Sequence, residues 1–397
     1  MKNLQWSDPI FKLYVSNFLT GLVFWYGIEK LFMQQIGIDA LGIGICTALY
    51  VIGTVLFDIP SGMLADRWSR KGLLILSAVF LALCSIVAVT SQGLVQYAIA
   101  DILYALYLVA TSGTYQAIIY DVLHEQGRAG QYSRVMGTAY GLFLAGAGVA
   151  NLASGFIAQS SSLALPYWLS IIPCVLNCIL LATIKEPVFH KAEQKEKFIQ
   201  QFARSTRIIL ETSILRSFIF IWCSLGAVEI FKQDFSQLYA LQFSSSEVLI
   251  GIFWALYAFA WAAGSFVAHR LQGQLSLLLI ATFVCTIAMG ATTYAIGMGF
   301  FLIQAFVVAA AYNLIETRVQ NAAPSAVRAS ILSVLSTGNR FVMIPSSLLI
   351  GWLIVQFDVF IVTKWLAILS ALLLIYWLLV GRRRLRQKDY GSAKLPS

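Results

Sequence analysis

The sequence predicts an all-α membrane protein with twelve transmembrane helices in two six-helix bundles. Hydrophobic residues make up 59% of its 397 residues and charged residues only 11%, a balance that excludes a soluble domain of this length. A bilayer core requires about 20 apolar residues per spanning helix. At roughly 30 residues per helix and loop, the chain has room for about a dozen spans. Short polar segments separate the apolar stretches and mark the loops.

The apolar stretches set the helices and the domains. The first six helices are predicted at 9–32, 40–65, 72–90, 94–123, 132–158 and 163–184. The last six are predicted at 214–243, 247–269, 275–296, 299–322, 326–357 and 359–380. The organisation is therefore an N-terminal bundle at 1–184, a cytoplasmic linker at 185–213, a C-terminal bundle at 214–381 and a basic tail at 382–397. The linker is a flexible or interfacial segment that includes a short amphipathic stretch.

Basic residues orient the chain. The net charge is +9, and the lysines and arginines concentrate in alternate loops and in the tail. This distribution follows the positive-inside rule and places both termini in the cytoplasm. It argues for contact with the lipid bilayer rather than with nucleic acid. The six cysteines lie in apolar segments, so we expect neither disulfides nor a zinc site.

The loop after the second helix carries the most specific motif. Residues 62–72 read GMLADRWSRKG, which resembles the G-x-L-A-D-R-x-G-R-K signature of the major facilitator superfamily, with Ser69 in place of the second glycine. The resemblance implies the major facilitator fold, whose two parallel halves flank a substrate site near mid-membrane.

The same resemblance implies a conformational latch. In the family pattern the loop arginine pairs with an aspartate at the cytoplasmic end of helix 4, and the loop aspartate faces the N-terminus of helix 11, where a carboxylate is favoured. The positions that match are Gly62, Asp66, Arg67, Arg70, Lys71 and Asp121. The alternative is that these charges only anchor the topology.

Asp58 and Pro60 precede the loop. Proline cannot donate to the helical ladder and is expected to bend helix 2. Asp58 would lie about two turns inside the membrane. It is either a gate residue paired across the halves or a cap for backbone groups freed at the bend.

Ionisable and polar residues inside spanning helices are the remaining candidates, because charge in hydrocarbon is costly and is usually functional. On helix 4, Asp101, Tyr104 and Tyr115 are predicted to share one face with Leu108 and Ser112. Asp101 is read as a proton or cation site, or as part of a salt bridge at the outer rim. The tyrosines form either cavity walls or helix–helix contacts.

Helix 7 offers Trp222, Glu229 and Gln233 on one predicted face with Gly226 and Ser236. Glu229 either binds ligand or protons or is neutralised by Lys232 at i+3, and Asp234 is expected nearer the outer surface. On helix 1, Glu29 adjoins Lys30 and is expected at the surface.

Helices 10 and 11 add three candidates. Tyr312 and Glu316 share a face of helix 10, with Arg318 following. Arg340 lies about 12 residues into helix 11, near mid-membrane at 1.5 Å per residue. It either binds a carboxylate or phosphate substrate or neutralises Asp101, Glu229 or Glu29.

Together these features predict a secondary active transporter of a small organic molecule. We expect a proton-coupled antiporter working in efflux by alternating access, because 58–71 and 112–121 resemble drug exporters. The bacterial inner membrane is the expected location and a monomer the expected state. Helix 5 lacks the proline of the antiporter signature. The alternatives are proton-driven uptake of an anionic nutrient and a non-transporting receptor on the same scaffold. The sequence contains no P-loop and no enzyme motif, metal site or cofactor site.

Overall fold

The computed structural model describes residues 8–67, 69–186, 206–244, 246–323 and 328–381. At 59, 62–67, 213, 328–330, 380 and 381 only the backbone is described. All regular secondary structure in these ranges is helical. The predicted tail and most of the predicted linker lie outside the described residues.

The described part of the first half of the chain contains eight α-helices. In order they are α1 (Pro9–Gly21), α2 (Glu29–Gln35), α3 (Ala40–Arg67), α4 (Arg70–Val89), α5 (Leu94–Thr111), α6 (Thr114–Glu125), α7 (Tyr132–Ser160) and α8 (Leu165–Ala182). Asp8 caps α1, because its Oδ1 accepts the Ile10 N–H at 2.9 Å. Ser69 caps α4 by accepting the Gly72 N–H at 2.7 Å.

The described part of the second half contains seven named helices. They are α9 (Ser213–Ile230), α10 (Ser236–Leu241), α11 (Glu247–Val267), α12 (Leu275–Ala291), α13 (Ile296–Ala322), α14 (Arg328–Gln356) and α15 (Val359–Tyr376). A π-helical turn at Phe231–Phe235 joins α9 to α10. A second π-helical turn, Trp377–Gly381, follows α15.

The predicted membrane fold is confirmed. Within the described residues, ten helical segments are long and apolar enough to cross a bilayer, and the apolar helix α12 is slightly shorter. The interrupted first span, α1 with α2, completes the set. These segments correspond in order to the twelve predicted spans.

Within the described residues, three of the predicted helices are interrupted before their last turn. Helix 1 was expected to be continuous over 9–32, but α1 ends at Gly21 and α2 begins only at Glu29. The freed Phe24 N–H donates to Ser170 Oγ at 2.9 Å, which satisfies a backbone group that lipid cannot. Helix 4 breaks at Gly113, whose φ of +74° suits glycine and ends the helical path. Helix 7 contains the π-helical turn.

The chain separates into two compact units. One contains Met1–Glu193 with Ala240–Ala258, and the other contains Gln194–Tyr239 with Phe259–Ser397. Helix α11 therefore contributes residues to both. The first unit packs around α1, α6 and α8, with Leu13, Ile118 and Leu181 fully buried. The second packs around α9, α12 and α13, with Leu279, Val308 and Ile315 fully buried. The predicted boundaries at 184 and 214 stay predictions.

Glycines bring helices into backbone contact. A Cβ on Gly146 of α7 would meet the Phe18 carbonyl oxygen of α1, and a Cβ on Gly21 would meet the Phe143 carbonyl oxygen of α7. Small residues at such crossings are the usual means of packing helices in membranes, where dispersion contacts replace the hydrophobic effect.

Replacing Gly146 by alanine should separate α1 from α7. Because the new methyl group meets a backbone atom rather than a flexible side chain, we expect a loss of stability of about 1–3 kcal/mol. Gly141 of the same helix has no atom near its ideal Cβ, so Gly141→Ala should be neutral or slightly stabilising. Unfolding of both variants in the same detergent tests this; equal midpoints would contradict the close crossing.

Candidate functional site

The start of α4 gathers the charges of the predicted latch. Arg70 Nη1 forms an ion pair with Asp121 Oδ2 of α6 and also donates to the Ala117 carbonyl at 3.1 Å. Lys71 Nζ donates to the Ile184 carbonyl at 3.0 Å. The structure thus brings Arg70 and Asp121 together. Gly62, Asp66 and Arg67 lie in the part of α3 where side chains are not described.

Glu186 belongs to the same cluster and was not predicted. Its Oε2 accepts the Ser69 hydroxyl at 2.8 Å, and its Oε1 accepts the Arg70 N–H at 2.9 Å. The carboxylate therefore caps the N-terminus of α4, where free N–H groups and the helix dipole favour negative charge. A lone acid between Lys185 and Pro187 was the only sequence signal.

Asp58 and Pro60 lie earlier on α3. The helix runs from Ala40 to Arg67 with Pro60 inside it, and Asp58 is exposed. The Ser61 hydroxyl contacts the Asp58 carbonyl at 2.9 Å and the Val109 carbonyl of α5 at 3.2 Å. The Ser61 hydroxyl thus adds a hydrogen bond to the backbone next to Pro60, which has no N–H to donate.

The break at Gly113 divides the predicted helix 4 face, so Asp101 and Tyr104 lie on α5 while Tyr115 lies on α6. Asp101 is buried, and the Cys46 thiol of α3 lies within hydrogen-bonding reach of it. The Tyr104 hydroxyl is 2.8 Å from that of Tyr26. The expectation of one continuous face was wrong, because the 3.6-residue helical period does not continue through the break at Gly113.

Tyr115 belongs to a closed ring of hydrogen bonds. Its hydroxyl lies 2.6 Å from Ser16 Oγ and 3.0 Å from Thr20 Oγ1. Ser16 donates to Asn177 Oδ1 at 2.6 Å, and Asn177 Nδ2 donates to Thr20 at 3.1 Å. All four side chains are buried. We call this set the Ser16 ring; it joins α1, α6 and α8.

A cavity of about 640 Å³ opens beside α6. We call it the α6 cavity. Its lining includes Arg70, Gly113, Gln116, Tyr120, Asp121 and Tyr132. The Tyr120 ring packs edge-on against Tyr132 with centroids 5.7 Å apart. The exposed Gln116 and Tyr120 belong to the spanning segment Leu94–Glu125. They face this space together with Asp121, His124 and Glu125 at the end of that segment, where polar side chains are expected to meet water.

Glu29 and Lys30 are not at the surface, contrary to expectation. Glu29 Oε2 lies 3.1 Å from Lys30 Nζ, and Lys30 is only 6% exposed. Glu29 Oε1 also accepts the Tyr97 hydroxyl at 3.3 Å. The interruption of helix 1 explains the difference, because the turn before α2 brings the pair onto α5 instead of continuing a helical path outward.

Glu229 and Lys232 form a second buried pair, in the second unit. Glu229 Oε1 lies 2.6 Å from Lys232 Nζ and accepts Gln304 Nε2 at 3.2 Å. Gln304 Nε2 also contacts Thr286 Oγ1 at 3.2 Å. The Lys232 ammonium lies 5.5 Å from the centre of the Phe301 ring. The exposures of Glu229 and Lys232 are 3% and 1%.

The π-helical turn redistributes the predicted helix 7 face. Gln233 is exposed, whereas Asp234, expected nearer the surface, is only 7% exposed. The wider turn shifts the register of the side chains that follow Glu229, which a strict 3.6-residue period does not anticipate. Before the turn, Trp222 packs edge-on against Tyr312 with centroids 4.5 Å apart.

Two candidates on α13 make polar contacts of their own. Glu316 Oε1 accepts Gln320 Nε2 at 3.2 Å, and Arg318 donates to the Gln272 carbonyl at 3.2 Å. Arg340 is half-buried on α14. Glu229, one partner suggested for Arg340, is engaged by Lys232.

The described residues include no cluster of three or more His, Cys, Asp or Glu side chains able to hold a metal ion. All six cysteines lie in the described ranges, and each is a free thiol.

Solved structures share this fold. The nucleoside transporter NupG matches with a TM-score of 0.79 and 15% identity over 94% of this chain and 98% of that one. A bacterial homologue of the human lysosomal transporter Spinster, inward-facing and unoccupied, matches with a TM-score of 0.77 and 13% identity over 99% and 100% of the chains. A D-xylose–proton symporter matches with a TM-score of 0.72 and 15% identity over 92% and 97%. At these identities the likeness establishes the fold alone.

Sequence comparison gives the family. No curated protein matches this chain. The model of the Major Facilitator Superfamily matches residues 10–344, which is most of the sequence. The chain therefore belongs to the Major Facilitator Superfamily, as a multi-pass membrane protein of a family of transporters rather than enzymes.

Proposed function

We propose that the protein is a proton-coupled secondary transporter of a small organic molecule, working by alternating access as a monomer in the bacterial inner membrane with both termini cytoplasmic. The observation that carries the proposal is the α6 cavity. It presents Gln116, Tyr120 and Tyr132 to a space of about 640 Å³, a size typical of small-molecule sites.

The cluster at the start of α4 supports a two-state latch. Asp121 forms an ion pair with Arg70, and Glu186 accepts hydrogen bonds from the first backbone N–H groups of α4. Charged hydrogen bonds of this kind are stronger than neutral ones, yet each partner is only partly buried and can exchange. We assign Gly62, Asp66, Arg67 and Lys71 to the same latch on the resemblance of their loop, with Asp58 and Pro60 as its neighbouring gate.

Buried carboxylates support proton coupling. Asp101 and Glu229 are 8% and 3% exposed inside spanning segments, where an acid is costly unless it is paired or takes up a proton. One structure with this fold is a D-xylose–proton symporter, which agrees with coupling. Tyr104, Tyr115, Trp222, Gln233, Tyr312, Glu316 and Arg340 remain candidates for contact with the substrate or the proton.

Two directions of transport remain proposals. Efflux by proton antiport is favoured by the resemblance of 58–71 and 112–121 to drug exporters. Proton-driven uptake of an anionic nutrient is favoured by Arg340 and by Lys232, a buried cation that could attract a carboxylate.

Membrane vesicles test both coupling and direction. Compounds that stabilise the purified protein at pH 6 or pH 8 would be added to energised vesicles while a dye reports internal pH. If the protein is an exporter, adding its substrate to inside-out vesicles should dissipate the stored proton gradient. If it is a symporter, adding its substrate to right-side-out vesicles should bring protons into the vesicles.

Glu229→Gln or Asp101→Asn should abolish this proton response, because an amide cannot carry the proton. Glu211→Gln is the matched control, since Glu211 is a well-exposed partner of Arg207 and should leave the response intact. Proton responses unchanged in both Glu229→Gln and Asp101→Asn would reject coupling through these acids.

Asp121→Asn tests the latch separately. The substitution removes the charge facing Arg70 while keeping the shape of the side chain, so transport should fall by about tenfold, corresponding to the roughly 1.5 kcal/mol of a charged hydrogen bond. Membrane insertion should persist. Transport at the wild-type rate in reconstituted vesicles would contradict a latch role.

A further inference from the structure

Two acid–base pairs, the first partly buried and the second fully buried, occupy equivalent places in the two halves. The first helix of one half contains Gly27, Glu29 and Lys30, and the first helix of the other contains Gly226, Glu229 and Lys232. Each pair lies where its helix departs from α-geometry, at the turn before α2 or at the π-helical turn. The fourth helix of each half supplies a further hydrogen bond to the acid, from Tyr97 in one and from Gln304 in the other.

The two copies differ in how well they are satisfied. In the first, both oxygens of Glu29 have partners, Tyr97 at Oε1 and Lys30 at Oε2. In the second, Glu229 Oε1 receives both Lys232 and Gln304. Glu229 Oε2 and Gln304 Oε1 are buried without a hydrogen-bond partner in the described residues. The Lys232 ammonium, with three N–H groups, makes one ion-pair contact there.

Such a site is prepared for an additional group. Buried polar atoms are normally hydrogen-bonded, and several unsatisfied ones together point to a missing partner. The two spare oxygens require a donor, which a proton on Glu229 supplies. The spare N–H groups of Lys232 require an acceptor. Among the described residues, the Cys285 thiol of α12 lies close enough to act on Lys232, and the buried Asp234 shares its π-helical turn. Gln304, Thr286 and Phe301 carry no charge.

Charge balance links these two requirements. The pair is neutral as it stands, with one carboxylate and one ammonium. A proton taken up from solution by Glu229 leaves Lys232 as a buried cation without a counter-ion, which a site of this burial disfavours strongly. A proton that only moves from Lys232 to Glu229 keeps the site neutral but takes up none from solution. Net protonation is therefore favourable only when an anion arrives with the proton.

We propose that Glu229 and Lys232 form a joint proton and anion site, in which an anionic group of the substrate binds Lys232 when Glu229 is protonated. Glu29 and Lys30 are its structural counterpart and do not exchange. This inference rests on the proposed transport function and names its substrate class: a small molecule bearing a carboxylate or phosphate.

Calorimetric binding to the purified full-length protein tests the linkage. The probes are sodium acetate, sodium benzoate and inorganic phosphate, with benzamide as a neutral counterpart of benzoate. At least one anion should bind. Because one proton is taken up with each anion, the binding affinity should fall about tenfold for each unit rise in pH. Benzamide should not bind. The same linkage should appear as about one proton taken up from the buffer per anion bound.

Variants assign the linkage to the pair. Glu229→Gln imitates the protonated acid, so anion affinity should become independent of pH and at least equal the wild-type value at low pH. Glu229→Gln combined with Lys232→Gln keeps the site neutral, which favours folding, and should abolish anion binding. Glu29→Gln is the matched control and should keep the wild-type pH dependence.

Each outcome decides the proposal. Absence of anion binding at every pH, equal binding of benzamide, persistence of the pH slope in Glu229→Gln, or binding by the double variant would overturn it. The assay involves no transport, so it can fail while the vesicle experiment succeeds; proton-coupled movement of a neutral or cationic compound would then uphold the proposed function alone. Anion binding without any movement in vesicles would instead reject the transport proposal.

Discussion

Charges and unpaired backbone groups inside a bilayer have no water with which to form hydrogen bonds, and this constraint determines how the whole chain folds. Among the described residues, two interruptions of spanning helices and one helix start have a polar side chain beside them. Ser170 receives the Phe24 N–H at the break in helix 1, Gln304 supports Glu229 next to the π-helical turn, and Glu186 caps the start of α4. Regular helix satisfies its own backbone, so departures from it persist only where another segment supplies a partner.

The number and order of the spans could be predicted from sequence, because a long apolar run has few other uses. The adjacency of Glu229 and Lys232 was also visible, since residues three apart on a helix are neighbours. These inferences succeeded because they depend on local chemistry. The loop motif at 62–72 likewise indicates the family.

The sequence does not indicate which residues far apart in the chain come into contact in the fold. Glu186 contacts Arg70 from 116 residues away, and nothing at either position signals the other. Lys30 looked exposed because two adjacent charges usually are; its burial depends on the turn between α1 and α2. The pair Ser112-Gly113 is a sequence signal for the break at Gly113. However, polar residues recur with helical spacing on both sides of the pair, so the sequence pattern predicted one continuous helix.

The Ser16 ring has a consequence for how the first unit can move. Its four side chains satisfy one another in a closed circuit across three helices, and none can leave without stranding the others in an apolar interior. The segments it ties together must therefore travel as a rigid body. The helices can therefore bend only on either side of the ring, where residues 22–28 and 112–113 are not helical.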